Sequence, residues 1–243
     1  MYAAEANEGE RDRPVAVKLM HNAAEWRREI ELCRRPDGGG ALNHAHVVAL
    51  LETRESVEPC PDAPQCQQLA VMPLAQRDLH DLIAHERVAG RDKHDAREIL
   101  REVAHHLRYL NEDVGVIHGD IKSRNIVQLD GGWRLIDLDA SCRLGESAGQ
   151  KMTSSASWPP ELACHALARG EHSTPPAASV QLEMWYFGVL LYQLCTLDGL
   201  TLWQSDQSDN VSMIDLDMLR HWGDFKVAKL KRVVWPDARA LLE

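Results

Sequence analysis

His118-Gly119-Asp120-Ile121-Lys122-Ser123-Arg124-Asn125 is a polar run that opens directly out of the apolar Val114-Gly115-Val116-Ile117. Behind it, Ile126-Val127-Gln128-Leu129 and Trp133-Arg134-Leu135-Ile136 flank Asp130-Gly131-Gly132, which is a hairpin signal. Asp137-Leu138-Asp139 follows the second arm of that hairpin. Upstream, Asp78 to Glu86 and His94 to Asn111 read as amphipathic helices. Downstream, a Ser-rich segment from Ser141 to Ser157 precedes a helix beginning near Pro159, whose ring suits a first turn. Gln181 to Leu197 is apolar on all sides, which places it at the centre of a helical lobe.

The first third of the chain has another character. Val15-Ala16-Val17 is a short β-branched run, and Ala23 to Arg35 has helical composition, with Glu29, Leu32 and Cys33 on one face. Pro36-Asp37-Gly38-Gly39-Gly40 stops that helix. Val47 to Leu51 and Leu69 to Met72 read as two further strands, separated by a loop from Pro59 to Cys66.

The 243 residues, 44% apolar and 26% charged, suffice to bury a real core in one globular domain. A formal charge of −10 argues against a surface that grips nucleic-acid phosphates through clustered Lys and Arg. No apolar run reaches the roughly 18 to 20 residues that span a bilayer, and the first twenty residues are too charged for a secretory signal. The expected location is therefore cytoplasmic, or nuclear. Six cysteines are scattered, and only Cys60 and Cys66 lie close together, without partners at zinc spacing, so reduced thiols are expected.

The central motifs supply one set of chemical tasks. Phosphoryl transfer from a nucleotide asks the protein to hold the phosphates, neutralise their charge with Mg²⁺ and orient the attacking hydroxyl. Asp120 is suited to accept a hydroxyl proton, and Lys122 to steady a γ-phosphate. Asn125 and Asp137 offer the hard oxygen ligands that Mg²⁺ prefers.

These residues resemble a known family. His118 to Asn125 is similar to the catalytic loop of eukaryotic-type protein kinases, and Asp137-Leu138-Asp139 to their Asp-Phe-Gly magnesium motif. Val15-Ala16-Val17-Lys18 resembles the strand whose lysine contacts the α- and β-phosphates, and Arg28-Glu29-Ile30 the helix whose glutamate pairs with it. Leu42 to Val48 is similar to the joint after that helix. Leu69 to Leu74 resembles the adenine-binding strand and hinge, with Met72 as gatekeeper and Val71 as the alternative register. Trp158-Pro159-Pro160-Glu161 looks like the end of the activation segment, and Glu183-Met184-Trp185-Tyr186-Phe187-Gly188 like the start of the central helix.

The resemblance implies an α+β, two-lobed fold, with a small, incomplete β-rich N-lobe over residues 1–75 and a larger helical C-lobe over 76–243. It implies ATP and Mg²⁺, and transfer of the γ-phosphoryl group to Ser or Thr of a protein substrate. Lys18 would hold the phosphates, Glu29 would position Lys18, and Ala16 and Val127 would press on adenine beside Met72 and Leu74. Asp120, Lys122 and Asn125 would act in catalysis, Asn125 and Asp137 would bind the metal, and Ser154, or Thr153 one register away, would help place Asp120 and Lys122. Lys122 disfavours the tyrosine-kinase pattern. Taken singly, Val-Ala-Val-Lys is an ordinary strand end and Glu29 an ordinary helix residue, so the ordered set carries the weight.

Several positions depart from the family. Met1 to Ala4 already resembles the strand after the glycine-rich loop, Gly9 alone does not replace that loop, and the chain stops inside what resembles a late C-lobe helix. Gly119 stands where many kinases have the arginine that pairs with a phosphorylated activation segment. Asp139 replaces a glycine and adds a charge beside the metal position, and Glu183 replaces an aspartate. Two rival readings follow: a kinase-shaped scaffold without catalysis, motivated by the missing loop and Asp139, and a small-molecule phosphotransferase, motivated by His-Gly-Asp. Ser141, Ser147 and Ser155 are candidate phosphosites in a Ser-rich, flexible segment. Asp206, Asp209 and Asp237 read as solvated charges, and Trp26, Trp203 and Trp235 as packing residues.

Overall fold

Strand β1 (Tyr2–Glu5) runs antiparallel to β2 (Pro14–Met20), with Tyr2 opposite Val17 and Glu5 opposite Pro14. After helix α1 (Ala23–Arg34) come β3 (Glu52–Glu55) and β4 (Gln68–Pro73), completing a sheet of order β1-β2-β4-β3. The computed structural model describes residues 2–5, 14–34, 41–55, 65–148, 151, 153–168 and 174–243. Gly9, the helix stop at 36–40 and most of the Pro59 to Cys66 loop lie outside the described residues.

The period of two buries Ala70 and Met72 on one face of β4, and Ala16 of β2 lies buried directly opposite Met72, next to the buried Val15. Asn22 starts α1 by accepting the N–H groups of Ala24 (3.0 Å) and Glu25 (3.3 Å) on its Oδ1. Trp26 and Ile30 of that helix pack on Met20, and the Trp26 indole N–H donates to the Leu69 carbonyl at 3.1 Å. The packing role read for Trp26 is thus what the side chain performs.

The strand expected over Val47 to Leu51 is not there. Val47 makes a single parallel bridge to Leu135, and regular pairing starts only at Glu52, opposite Val71. The β-branched pair Val47-Val48 is instead buried in a linking segment. Burial, rather than strand pairing, accounts for its composition.

The remainder is mainly helical. Short β5 (Arg77–Asp78) leads into α2 (Leu79–Asp81), whose Asp78 cap accepts the Asp81 N–H at 2.7 Å, and into a wider turn over Leu82–Glu86. Helix α3 (Lys93–Arg108) is capped by Asp92, which accepts the Asp95 N–H at 3.0 Å. A wide turn (Tyr109–Val114) and β6 (Val116–Ile117) then deliver the chain to His118. The hairpin is β7 (Ile126–Leu129) and β8 (Gly132–Leu135). Its turn puts Asp130 and Gly131 at φ of 51° and 81°, the two left-handed residues that an Asp-Gly hairpin turn supplies.

Strand β9 (Cys142–Arg143) returns to pair with β6. Helices α4 (Pro160–Leu167), α5 (Val180–Leu194), α6 (Met213–Arg220), α7 (Trp222–Leu230) and α8 (Pro236–Leu242) follow. Helix α5 ends three residues before the expected Leu197, which is 62% exposed. Its Leu182, Tyr186, Val189, Leu190 and Leu194 are buried in one cluster with Val103, Leu107 and Leu110, and with Ile117, Ile121, Ile126 and Leu135 around the polar loop. The α+β architecture, a small sheet-containing N-terminal part and a helical remainder, is therefore the observed fold. No helix among the described residues is long and apolar enough to cross a membrane.

Truncating Leu107 (0% exposed) to alanine is expected to cost about 2–5 kcal/mol, read as a lower urea midpoint with an unchanged slope. Leu197→Ser, at an exposed position, is expected to stay within about 0.5 kcal/mol of the wild type.

Candidate active site

The polar loop is held open by a buried carboxylate. Glu183 is 0% exposed, and its Oε2 accepts the His118 N–H at 2.5 Å. Burial pushes its pKa up to about 7, against the backbone N–H groups of His118 and Gly119, which favour the charged form. The longer reach of glutamate therefore keeps the anchor.

His118 is itself buried, which lowers its pKa to about 4 and keeps the ring neutral. Its Nε2 lies 3.0 Å from the Ile136 carbonyl and its Nδ1 accepts the Asp120 N–H at 3.3 Å, which assigns the proton to Nε2. Ser141 Oγ donates to the His118 carbonyl at 3.0 Å. The loop and the chain entering Asp137 are thus stitched together on both sides of the imidazole.

Asp120 is 3% exposed. Its Oδ2 receives Asn125 Nδ2 at 3.1 Å and the Lys122 ammonium at 3.1 Å, while Oδ1 has no partner among the described residues. Burial raises its pKa to about 6, and Lys122 offsets part of that rise. An orphaned buried acceptor of this kind fits an incoming hydroxyl. Lys122 also donates to Ser154 Oγ at 2.5 Å, whereas Thr153 Oγ1 accepts the Trp158 indole N–H at 2.9 Å. Between the two registers left open, Ser154 is the residue that meets the loop.

Lys18 sits at the other edge. Its ammonium contacts Glu29 Oε2 at 2.8 Å, Asp137 Oδ1 at 2.7 Å and Asp139 Oδ2 at 3.4 Å. Burial disfavours the Lys18 charge, but these three carboxylates more than reverse the effect and raise its pKa. Burial likewise works against the Asp137 charge, yet Lys18 and Lys151 hold that carboxyl well below the usual range. Asp137 adopts φ 69° and ψ 68°, and a one-turn helix over Leu138–Ala140 follows it. Asn125 spends its amide N–H on the Asp120 carbonyl (2.8 Å) and carboxylate, which leaves its amide oxygen for another role. Asp137 carboxylate and Asn125 carbonyl oxygens are the hard donors that Mg²⁺ takes, so the residues present fit the ion.

Ala16, Val48, Met72 and Val127 are buried in one apolar cluster, with Leu50, Ala75, Leu129 and Ile136 packed on it. Met72 rather than Val71 is the buried member of the strand. Leu74 lies at the rim, 38% exposed, with its N–H donating to the Pro14 carbonyl at 3.1 Å.

The protein kinase domain model matches residues 3–240. The chain belongs to the protein kinase domain family. The sequence has no significant match among curated proteins. Among solved structures, a chain of the yeast RNA Pol II CTD kinase CTDK-1 complex superposes with a TM-score of 0.62 at 18% identity, over 89% of this chain and 64% of that one. The kinase domain therefore spans about 64% of the length of that structural relative, and the likeness concerns fold.

Sequence reasoning missed several contacts of this kinase domain. Lys151 reaches Asp139 Oδ1 at 2.5 Å, and Arg28 Nη1 donates to the Asp139 carbonyl at 2.9 Å. Asp209, read as a solvated charge, pairs with Arg124 of the polar loop at 3.1 Å, and its main-chain carbonyl accepts the Ala156 N–H at 3.0 Å. Asp237 pairs with Lys93 at 2.8 Å. Ser141 and Ser155, read as phosphosites, are buried and hydrogen-bonded, which closes them to a modifying enzyme in this conformation. None of these pairs follows a sequence period, so only the fold brings them together.

Gly119 has φ 80°, and a Cβ there would lie 2.6 Å from the Ala140 carbonyl oxygen. Gly119→Ala is expected to lower the melting temperature, with loss of loop order seen as faster amide exchange at residues 118–125. An acid whose folded pKa is raised adds stability below its unfolded value of 4.5 and loses it as pH rises toward about 7. Relative to wild type, Glu183→Gln is therefore expected to gain stability steadily across that window and to level off above it, as read in denaturant melts.

Proposed function

We propose that this kinase domain transfers the γ-phosphoryl group of ATP to a serine or threonine hydroxyl of a protein substrate. The observation that carries the reading is the Lys122 ammonium lying between Asp120 and Ser154, beside an Asp120 oxygen with no internal partner. Asp120 orients the substrate hydroxyl and receives its proton as the new O–P bond forms and the bond to the ADP oxygen breaks, with ADP leaving on the electron pair. Lys122 faces the transferring phosphoryl group and disperses its charge. Lys18 binds the α- and β-phosphates, held by Glu29, and the cluster of Ala16, Met72 and Val127 receives adenine near Leu74. Mg²⁺, held by Asn125 and Asp137, neutralises the phosphates when bound.

The Lys18 ammonium already faces three carboxylates, so a nucleotide phosphate has to displace at least one of those contacts. Asp139 is the contact most readily given up, at 3.4 Å against 2.8 Å and 2.7 Å for the other two. The proposal includes two lobes meeting at Ala75-Gln76. It also includes a cytoplasmic or nuclear location, with which the free Cys33, Cys66, Cys142, Cys164 and Cys195 accord.

A radiolabelled ATP assay on a generic protein substrate tests catalysis. Asp120→Asn is expected to lose about 10²–10⁴-fold in rate, and Asp137→Ala or chelation of Mg²⁺ to abolish the signal. Equal label from wild type and Asp137→Ala, or none from either, would favour the scaffold reading. In a thermal-shift titration, Mg·ATP is expected to raise the melting temperature of the wild type and not of Asp137→Ala.

A further inference from the structure

Asp139 stands where the turn after the proposed metal-binding aspartate otherwise needs no side chain, yet it is 3% exposed and sits between cations. Its carboxylate takes Lys151 at 2.5 Å and Lys18 at 3.4 Å, and its carbonyl takes the Arg28 guanidinium at 2.9 Å. Burial and the neighbouring Asp137 disfavour its charge, so an ionised Asp139 depends on Lys18 and Lys151. Arg28 belongs to α1, Lys18 to β2, and Lys151 to the segment between β9 and Ser154. One residue thus joins three parts of the molecule.

We propose that Asp139 and Lys151 are a pair of positioning residues, a clasp that fixes the segment bearing Ser154 against the metal-binding turn. Ser154 is the third residue after Lys151, a span of at most about 11 Å of chain. With Lys151 clasped, Ser154 stays within reach of Lys122, and Lys122 within reach of Asp120. The clasp also holds the Lys151 charge on Asp139. Without Asp139 that ammonium, whose field already acts on Asp137 and Asp120, would be left to those two carboxylates. In the proposed reaction Ser154 meets Lys122 and, through it, Asp120, where the substrate hydroxyl is received, so the clasp acts on the protein substrate more than on the nucleotide.

The inference rests on the proposed reaction only for its kinetic consequence, and the test separates the two. Hydrogen–deuterium exchange over residues 153–158 is measured in the nucleotide-free protein for wild type, Asp139→Asn, Lys151→Met, Lys151→Arg and the double variant Asp139→Asn/Lys151→Met. Exchange is expected to rise in both single neutral variants, to rise no further in the double variant, and to remain at the wild-type level in Lys151→Arg. Where phosphotransfer is measurable, KM for the protein substrate is expected to rise about tenfold in Lys151→Met, with KM for Mg·ATP within about twofold. Unchanged exchange in both single variants, additive effects in the double variant, or a loss confined to the Mg·ATP KM would overturn the clasp. Absence of phosphotransfer in the wild type would sink the proposed reaction and leave the exchange result to decide the clasp. Should Asp139→Asn fail to fold, Lys151→Met and Lys151→Arg still give opposite outcomes, because Lys151 keeps part of its side chain in solvent.

Discussion

A single ammonium group joins the sheet to the chemistry. Lys18 leaves β2, and Glu29 on α1 and Asp137 after β8 close on it at 2.8 Å and 2.7 Å. A buried carboxylate without a cation beside it would lose its charge or the fold its stability. The orientation of α1 relative to the sheet and that of the Asp137 turn relative to both are consequently set by the same charge. This arrangement also explains why an ordinary lysine at a strand end carries so much consequence. Its partners lie 11 and 119 residues away, so the contact exists only if the whole chain between them folds correctly.

A second constraint acts from below. The loop over residues 118–125 is short and polar, and such a loop stays in one shape only if its backbone donors are accounted for. Glu183 provides for the N–H groups of His118 and Gly119 from inside α5, and the neutral His118 ring ties the loop to Ile136. The apolar residues around α5 exclude water, which raises the Glu183 pKa while strengthening each hydrogen bond it accepts. Loop rigidity and an anchor sensitive to pH are therefore two results of the same burial.

The parts of this architecture legible in the sequence were those encoded locally or by an ordered series of motifs. The hairpin was visible because Asp130-Gly131 has the backbone preferences its turn requires, and α5 because its apolar residues leave no polar face. The strand assigned to Val47–Leu51 was not there, because β-branched residues suit any buried extended segment and only pairing with Val71 decides where the strand begins. The wide turns over Leu82–Glu86 and Tyr109–Val114 lengthen helices whose apolar spacing is otherwise regular, so periodicity passed over them. In the site, Lys18, Glu29, Asp120, Lys122, Asn125 and Asp137 were each named from motifs. Arg28, Lys151 and Asp209 were not, since an isolated charge in a polar stretch looks the same whether it faces water or a carboxylate.

Asp139 shows where that limit lies. Read alone, it is a charge set beside a metal position, an apparent defect in a motif that otherwise holds together. In the fold, three carboxylates, Glu29, Asp137 and Asp139, face the ammonium groups of Lys18 and Lys151, while Arg28 holds the Asp139 main-chain carbonyl. A third buried carboxylate beside two others is tolerable only with a further cation, because one ammonium in a low-dielectric site does not offset three negative charges. Lys151 supplies it from twelve residues downstream, in a stretch with no pattern of its own. The two positions are physically one feature, an ion pair that ties the turn after Asp137 to the stretch leading into Ser154.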